Sequence, residues 1–292
     1  MYAITGITGK VGGAVARTLL AGGQSVRAVV RNADKGQVWR KRGCKVALAT
    51  IEDAASLSAA FQGAEAVFVL VAPNFDPSPE FSEAREIGKA LHSALAAARP
   101  NRVVYLSTIG AQAREMNLLT HHSTIEKAID DLRIPITFLR PAWFMENCPW
   151  DVAPARETGV VPSFLQPLDK PVPPMVATAD IGKLAAGLLQ EKWEGHRVAE
   201  LEGPTRVTPN QIATTFAKLL GKPVRMKVVP RESWDALFRS QGVKNPIPRM
   251  RMLDGFNEGW IEFERKEAGS QKGSTTLETV LKSLVEEANE LV

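Results

Sequence analysis

The chain has 292 residues, of which 45% are hydrophobic and 23% are charged, and its formal net charge is +4. This composition is ordinary for a soluble globular protein, and no apolar run approaches the roughly 20 residues that span a membrane. The basic residues are scattered and show no helix-turn-helix or zinc-finger spacing, so a nucleic-acid partner is not favoured. A basic balance also suits an anionic cofactor.

The two cysteines, Cys44 and Cys148, show no CxxC spacing. The chain also lacks a signal-peptide pattern at Met1, because a glycine-rich motif begins almost at once. We therefore expect a reduced, cytoplasmic compartment.

Apolar strands alternate with helical segments through the first half of the chain. After the apolar run 1–4, a helix is predicted over 11–20. The further strands cover 25–30, 45–49, 66–71, 102–107 and 135–139, and the helices between them cover 35–41, 54–61, 80–98 and 123–132. This alternation predicts an α/β fold with a doubly wound parallel Rossmann sheet.

After Arg140 prolines become dense, which predicts loops and short elements up to about residue 174. Thr208 is the expected N-cap of a later helix that Gly221 closes. The predicted elements are helix 179–189, strand 197–201, helix 210–220, strand 224–229, helix 231–240 and helix 276–291.

The change in composition predicts a dinucleotide-binding domain over 1–150. A smaller C-terminal substrate or partner lobe follows over 151–292, some of whose segments return to the main sheet. Ligands of such sheets bind beyond the carboxyl ends of the strands, so the active cleft is expected between the two lobes.

Three glycines at a spacing of three residues stand between the first strand and the first helix. Gly6 permits a tight turn, Gly9 lets a pyrophosphate approach the backbone, and Gly12 lets the helix pack closely. The helix N-terminus offers unpaired N–H groups to the phosphates. The alternative is a turn without a ligand. The expected cofactor-binding residues here are Thr5, Gly6, Thr8, Gly9, Lys10, Val11 and Gly12.

Basic residues follow the second strand, where an NAD-preferring site usually has an acidic residue. Arg31 can pair bidentately with a ribose 2′-phosphate, and Lys35 lies one helical turn further on. The cofactor is therefore predicted to be NADP(H). The alternatives are a solvated surface Arg31 and an adenine-ribose contact from Asp34.

The tyrosine that usually protonates the product of a short-chain dehydrogenase is missing. Neither Tyr2 nor Tyr105 has a lysine four residues later. On the helix that should carry this pair, Ser123 takes the place of the tyrosine and Lys127 that of the lysine. His122, with a pKa expected near neutrality and Glu126 one turn away, is a candidate proton donor, or else merely flanks the helix start.

These residues resemble the NmrA-like group of atypical short-chain dehydrogenases over nearly the whole chain. The most discriminating stretch is LRPAWFMEN at 139–147, and 180–182 and 201–204 are similar to segments of that group's second half. The resemblance implies either an NADPH-dependent reductase, such as a quinone reductase, or a redox sensor without turnover. A reductase of isoflavone or lignan ethers is a third possibility, which Lys127 keeps open.

We expect hydride transfer from NADPH to a quinone or a similar conjugated acceptor, because such an acceptor needs less help from a protein acid. The expected catalytic residues are Lys127, His122 and Ser107. The remaining cofactor contacts are predicted at Val71, Ala72, Pro73, Ser107, Thr108, Lys127 and Phe144. Trp143 and Phe144 are expected to wall an aromatic pocket or to be core. A protein partner or a homodimer is a further expectation.

Overall fold

The computed structural model describes residues 1–171, 173–265 and 269–290, which form two compact units that interleave along the chain. Unit 1 comprises Met1–Ala111, Leu119–Arg140 and Ile181–Ala199. Unit 2 comprises Gln112–Leu118, Pro141–Asp180 and Glu200–Val292. The sequence-based division into domains 1–150 and 151–292 stays a prediction.

The described strands are β1 (Tyr2–Ile4), β2 (Val26–Val30), β3 (Lys45–Leu48), β4 (Ala66–Val69), β5 (Arg102–Leu106), β6 (Ile136–Pro141), β7 (Trp143–Phe144), β8 (Val160–Ser163), β9 (Met175–Val176), β10 (His196–Glu202), β11 (Arg225–Val228) and β12 (Gln271–Lys272). The described helices are α1 (Lys10–Ala21), α2 (Ala33–Lys41), α3 (Ala54–Phe61), α4 (Ser82–Ala98), α5 (Thr120–Ile129), α6 (Pro149–Glu157), α7 (Thr178–Gln190), α8 (Pro209–Leu220), α9 (Trp234–Ser240), α10 (Ile247–Glu258) and α11 (Leu277–Glu290).

Unit 1 contains the main sheet, whose strand order is β10-β6-β5-β4-β1-β2-β3. The pairs between β3, β2, β1, β4, β5 and β6 are all parallel. The order reverses direction between β1 and β4, as in a doubly wound dinucleotide-binding sheet. The predicted α/β fold class is therefore confirmed. The last residues of β10 belong to unit 2, where Leu201 and Glu202 pair with β12.

The core of unit 1 lies between the sheet and helices α3 to α5. All four residues of β4 are buried, because helices cover a parallel sheet on both faces. Helix α4 contacts α3 and α5 along its length. The largest core side chains on this side include Phe61, Leu91, Tyr105 and Ile125.

Unit 2 has its own core, which contains Met145, Val161, Phe216 and Leu281. Its short strands pair in parallel as β8 with β11 and β7 with β9. Helix α8 begins at a capping box, in which Gln211 N–H donates to the Thr208 side chain and Thr208 N–H donates to the Gln211 side chain. The predicted N-cap is thus confirmed.

Two of the described helices of unit 2 were not predicted. Helices α6 and α10 both carry proline at their first turn, where the missing N–H costs nothing. A dense run of prolines therefore does not exclude a helix, although Pro154 lies inside α6.

Most of the predicted helices differ from the observed ones by one to three residues at their ends. Residues 231–233 form a 3-10 turn before α9, and α5 begins at Thr120 rather than at Ser123. Residue 291 of the predicted last helix lies outside the described residues. Within the described part of the chain, none of the helices is both long and apolar enough to cross a bilayer.

Candidate active site

The turn after β1 needs glycine at two positions for reasons internal to the fold. Gly6 has φ +61°, a left-handed conformation that favours glycine. A Cβ on Gly12 would lie 2.3 Å from the Gly6 carbonyl oxygen and 2.9 Å from the Ile7 nitrogen, so α1 packs directly on the turn. These two glycines therefore shape the turn as predicted.

Gly9, by contrast, is not required by the fold. It is exposed, its φ of −91° suits any residue, and a Cβ would come no closer than 3.4 Å to the Gly6 carbonyl oxygen. It is the N-cap residue of α1, whose first turn has no acidic side chain. A bare backbone at a helix N-terminus is what an approaching pyrophosphate requires, so the turn fits a dinucleotide.

Thr5 connects two segments of the chain at the same edge of the sheet. Its buried hydroxyl donates to the Leu70 carbonyl oxygen at 3.1 Å and accepts from the Leu70 N–H at 2.7 Å. These bonds join the chain after β1 to the chain after β4. Its predicted contact with the cofactor stays a prediction.

The other residues predicted near the cofactor differ in exposure. Thr8 and Lys10 flank Gly9 and are exposed, whereas Val11 is buried in α1 and offers only its backbone. After β4, Val71 is buried, while Ala72 and Pro73 are exposed. The loops after β1 and after β4 thus both contain exposed residues.

Arg31 and Lys35 are exposed after β2. No hydrogen bond or salt bridge holds either side chain within the part of the chain that the structure describes. Asn32 between them caps α2 by accepting from the Asp34 N–H at 2.7 Å. The cap holds the end of β2 and the start of α2 in place, and leaves both cations available to a 2′-phosphate.

Ser107 directly follows β5. Its hydroxyl oxygen is buried and has no hydrogen-bond partner among the described residues. A buried hydroxyl without a partner is uncommon and often marks a place where a ligand or water binds. Thr108, the next residue, is half-buried.

His122 pairs with the tyrosine that sequence reasoning set aside. Its Nδ1 lies 2.9 Å from the Tyr105 hydroxyl oxygen, and the Tyr105 side chain is fully buried. Burial, together with His121, lowers the pKa of His122 to about 3. The expectation of a pKa near neutrality was therefore wrong, because the environment of the ring disfavours the imidazolium. At pH 7 the ring is therefore neutral and is not a charged acid.

Glu126, one helical turn after His122, is directed to another element. Glu126 forms a buried bidentate ion pair with Arg140, with Nε–Oε1 at 3.0 Å and Nη2–Oε2 at 2.7 Å. The carboxylate turns to Arg140 because a planar guanidinium satisfies both of its oxygens. This contact ties α5 to β6.

Ser123 and Lys127 occupy one face of α5, four residues apart. Ser123 is half-buried, and its hydroxyl donates to the Thr120 carbonyl oxygen at 3.1 Å. Lys127 is exposed. The predicted roles of both residues stay predictions.

The 139–147 stretch is held by its polar side chains. Beyond Arg140, Glu146 in unit 2 accepts hydrogen bonds from the Thr178 N–H and hydroxyl, the latter at 2.6 Å. Trp143 packs edge-on against Phe256, and Phe144 is half-buried in β7. Trp143 is thus part of the packing of unit 2. The predicted cofactor contact of Phe144 stays a prediction.

Sequence reasoning missed Tyr105 because it looked only for a lysine four residues later. One signal could have found Tyr105. It lies two residues before the predicted site residue Ser107, and strand residues at this spacing have their side chains on the same face. The hydrogen-bond partner of Tyr105 is His122, which lies on helix α5.

Comparison with known proteins identifies one family and several similar oxidoreductases. Residues 2–269 match the model of the NmrA-like family. Quinone oxidoreductase 2 of Escherichia coli is 28% identical over 252 residues, which cover 86% of this chain and 85% of the relative. The NAD(P)H azoreductase of Xenophilus azovorans is 24% identical over 259 residues, which cover 88% and 85%. A solved structure of the Escherichia coli NADPH-dependent quinone oxidoreductase in complex with NADPH aligns with a TM-score of 0.78 at 26% identity, covering 100% of this chain and 99% of that one.

Proposed function

Because this chain belongs to the NmrA-like family, we propose that it is an NADPH-dependent oxidoreductase that transfers hydride to a quinone or a similar conjugated acceptor. The observation that carries the proposal is the neutral Tyr105–His122 pair in a unit that also contains an intact dinucleotide turn. The quinone oxidoreductase and azoreductase relatives support the same class of acceptor.

The dinucleotide turn accounts for cofactor binding. Gly9 and the first N–H groups of α1 receive the pyrophosphate, while Arg31 and Lys35 receive the 2′-phosphate. Bound NADPH supplies the hydride. Lys127 is proposed to hold the nicotinamide ribose, and Ser107 has a buried hydroxyl available for a ligand hydrogen bond.

The properties of Tyr105 and His122 select the acceptor. Burial raises the pKa of Tyr105 well above its usual value, with Glu126 adding to the shift, and the pKa of His122 is about 3. Neither group is therefore poised to protonate a strongly basic alkoxide at neutral pH. A quinone that accepts hydride becomes a hydroquinone monoanion with a delocalised charge. A hydrogen bond from His122 suffices for this anion, and water supplies the second proton.

A small-molecule acceptor is thus the proposed partner, and a protein partner or homodimer stays a prediction. We also propose a cytoplasmic location, since both cysteines are buried free thiols.

NADPH oxidation with a panel of acceptors tests this function. We expect turnover with benzoquinone, naphthoquinone and an azo dye, and none with a saturated ketone as the matched control. The physical reason is that the ketone alkoxide needs an acid that this site lacks. If NADPH binds tightly and no acceptor is reduced, the enzyme proposal fails and a cofactor-sensing role takes its place.

Replacing Arg31 by alanine tests the cofactor preference. We expect NADPH affinity to fall by about 10–100-fold, because a charge-assisted contact to the 2′-phosphate contributes about 1.5–3 kcal/mol. NADH affinity should change little, since NADH lacks this phosphate. Titration of both cofactors measures the difference, with the exposed Arg40→Ala on α2 as the charge-matched control. Equal losses for the two cofactors would contradict a 2′-phosphate contact.

A further inference from the structure

The Tyr105 hydroxyl is buried and forms a hydrogen bond with His122. Its side chain is completely buried in the core of unit 1. In the described part of the chain, the hydrogen-bond partner recorded for this hydroxyl is His122 Nδ1, at 2.9 Å. A phenol carries a proton that needs an acceptor, and leaving a buried donor unpaired costs about 1–3 kcal/mol.

This requirement decides which nitrogen of His122 carries the proton. If Nδ1 carried it, Nδ1–H would donate to the tyrosine oxygen, and the phenol proton would have no acceptor. If Tyr105 donates, Nδ1 accepts and the ring proton lies on Nε2. The second arrangement satisfies both groups.

Other aromatic rings pack around this pair. The edge of Phe138 packs on the Tyr105 ring, with centroids 6.4 Å apart and planes at 79°. The His121 and His122 rings are also nearly perpendicular, with centroids 5.3 Å apart. His122 is partly exposed, whereas Tyr105 is fully buried. The pair therefore joins a buried hydroxyl to a half-buried imidazole.

We propose that Tyr105 is a positioning residue that holds His122 as its Nε2–H tautomer, so that the neutral ring donates this N–H to the oxygen of the reduced acceptor. The role on the acceptor rests on the proposed function, whereas the tautomer does not. Tyr105 itself touches neither cofactor nor acceptor in this assignment.

Nitrogen NMR of the full-length protein labelled with ¹⁵N-histidine tests the tautomer without any turnover. The chain has four histidines, and His122→Gln assigns the relevant signals. We expect a pyridine-type Nδ1 and a pyrrole-type Nε2 in the wild-type protein at neutral pH. In Tyr105→Phe we expect the two tautomers to mix, because the constraint on Nδ1 is gone. A pyrrole-type Nδ1 in the wild type, or an unchanged tautomer in the variant, would overturn the proposal.

Steady-state kinetics test the consequence. Tyr105→Phe is expected to lower kcat by about 10-fold, the equivalent of one hydrogen bond, with the KM for NADPH unchanged. Phe138→Leu disturbs the packing of the Tyr105 ring but keeps its hydroxyl, so it should retain the wild-type tautomer and most of kcat. A tautomer that mixes without loss of kcat would refute the positioning role. A wild-type Nε2–H tautomer without quinone turnover would instead refute the proposed function and leave the effect of Tyr105 on the ring standing.

Discussion

Gly9→Leu is expected to lower NADPH affinity by ~100-fold or more while leaving the fold intact. The position tolerates a side chain internally, since a Cβ would meet only the Gly6 carbonyl oxygen at 3.4 Å and φ is −91°. A leucine would instead occupy the space over the first turn of α1, where the pyrophosphate is expected. Losing the better N-cap costs about 1 kcal/mol of stability at most. Titration with NADPH and a thermal melt measure the two effects separately.

The comparison variant is Gly12→Ala, whose main expected effect is a loss of stability. Its Cβ would lie 2.3 Å from the Gly6 carbonyl oxygen, so α1 has to shift away from the turn. We expect about 1–3 kcal/mol of lost stability from this overpacking. If Gly9→Leu retained its NADPH affinity, the motif would be a strand-to-helix turn and nothing more.

Glu126→Ala is expected to destabilise the protein by about 3–5 kcal/mol. The side chains of Arg140 and Glu126 are only 8% and 10% exposed, so removing the carboxylate leaves a buried guanidinium without its bidentate partner. Chemical denaturation monitored by circular dichroism measures the change in the free energy of unfolding.

An exposed ion pair at the start of α4, in the same unit, provides the comparison. The Glu80 and Arg85 side chains are 84% and 48% exposed, so Glu80→Ala should cost less than about 1 kcal/mol. A loss for Glu126→Ala no larger than that for Glu80→Ala would show that burial does not strengthen the Glu126–Arg140 pair.

The fold was predictable where the local pattern decides the structure. The predicted helix over 54–61 has the observed bounds, because Asp53 caps it and an apolar face follows. The fully apolar strand β4 was also placed correctly, apart from its last two residues. Helices α6 and α10 were missed because proline at the first turn of a helix has the same sequence signature as a loop.

The candidate site was predictable only in its cofactor half. The roles of Gly6 and Gly12 follow from the turn and the helix that surround them in sequence, and Arg31 follows directly after a recognisable strand. The pairing of Tyr105 with His122 was missed, and His122 was wrongly expected to lie near neutral pKa. Neither the Tyr105–His122 contact nor the lowered pKa of His122 follows from the spacing of residues within one element. Both depend on how deeply α5 packs against β5.

The sequence by itself determined a Rossmann sheet and its strand-to-helix glycine turn, and it predicted a preference for a 2′-phosphate. These properties depend on backbone angles and on residues within a few positions of one another, such as Gly6 and Gly12. Only the tertiary structure decided the partners of the polar side chains. Tyr105 and His122 are 17 residues apart, and Glu126 and Arg140 are 14 apart, each pair on two different elements. Burial between packed elements then sets which of these groups are charged, because desolvation depends on neighbours that lie far away in sequence.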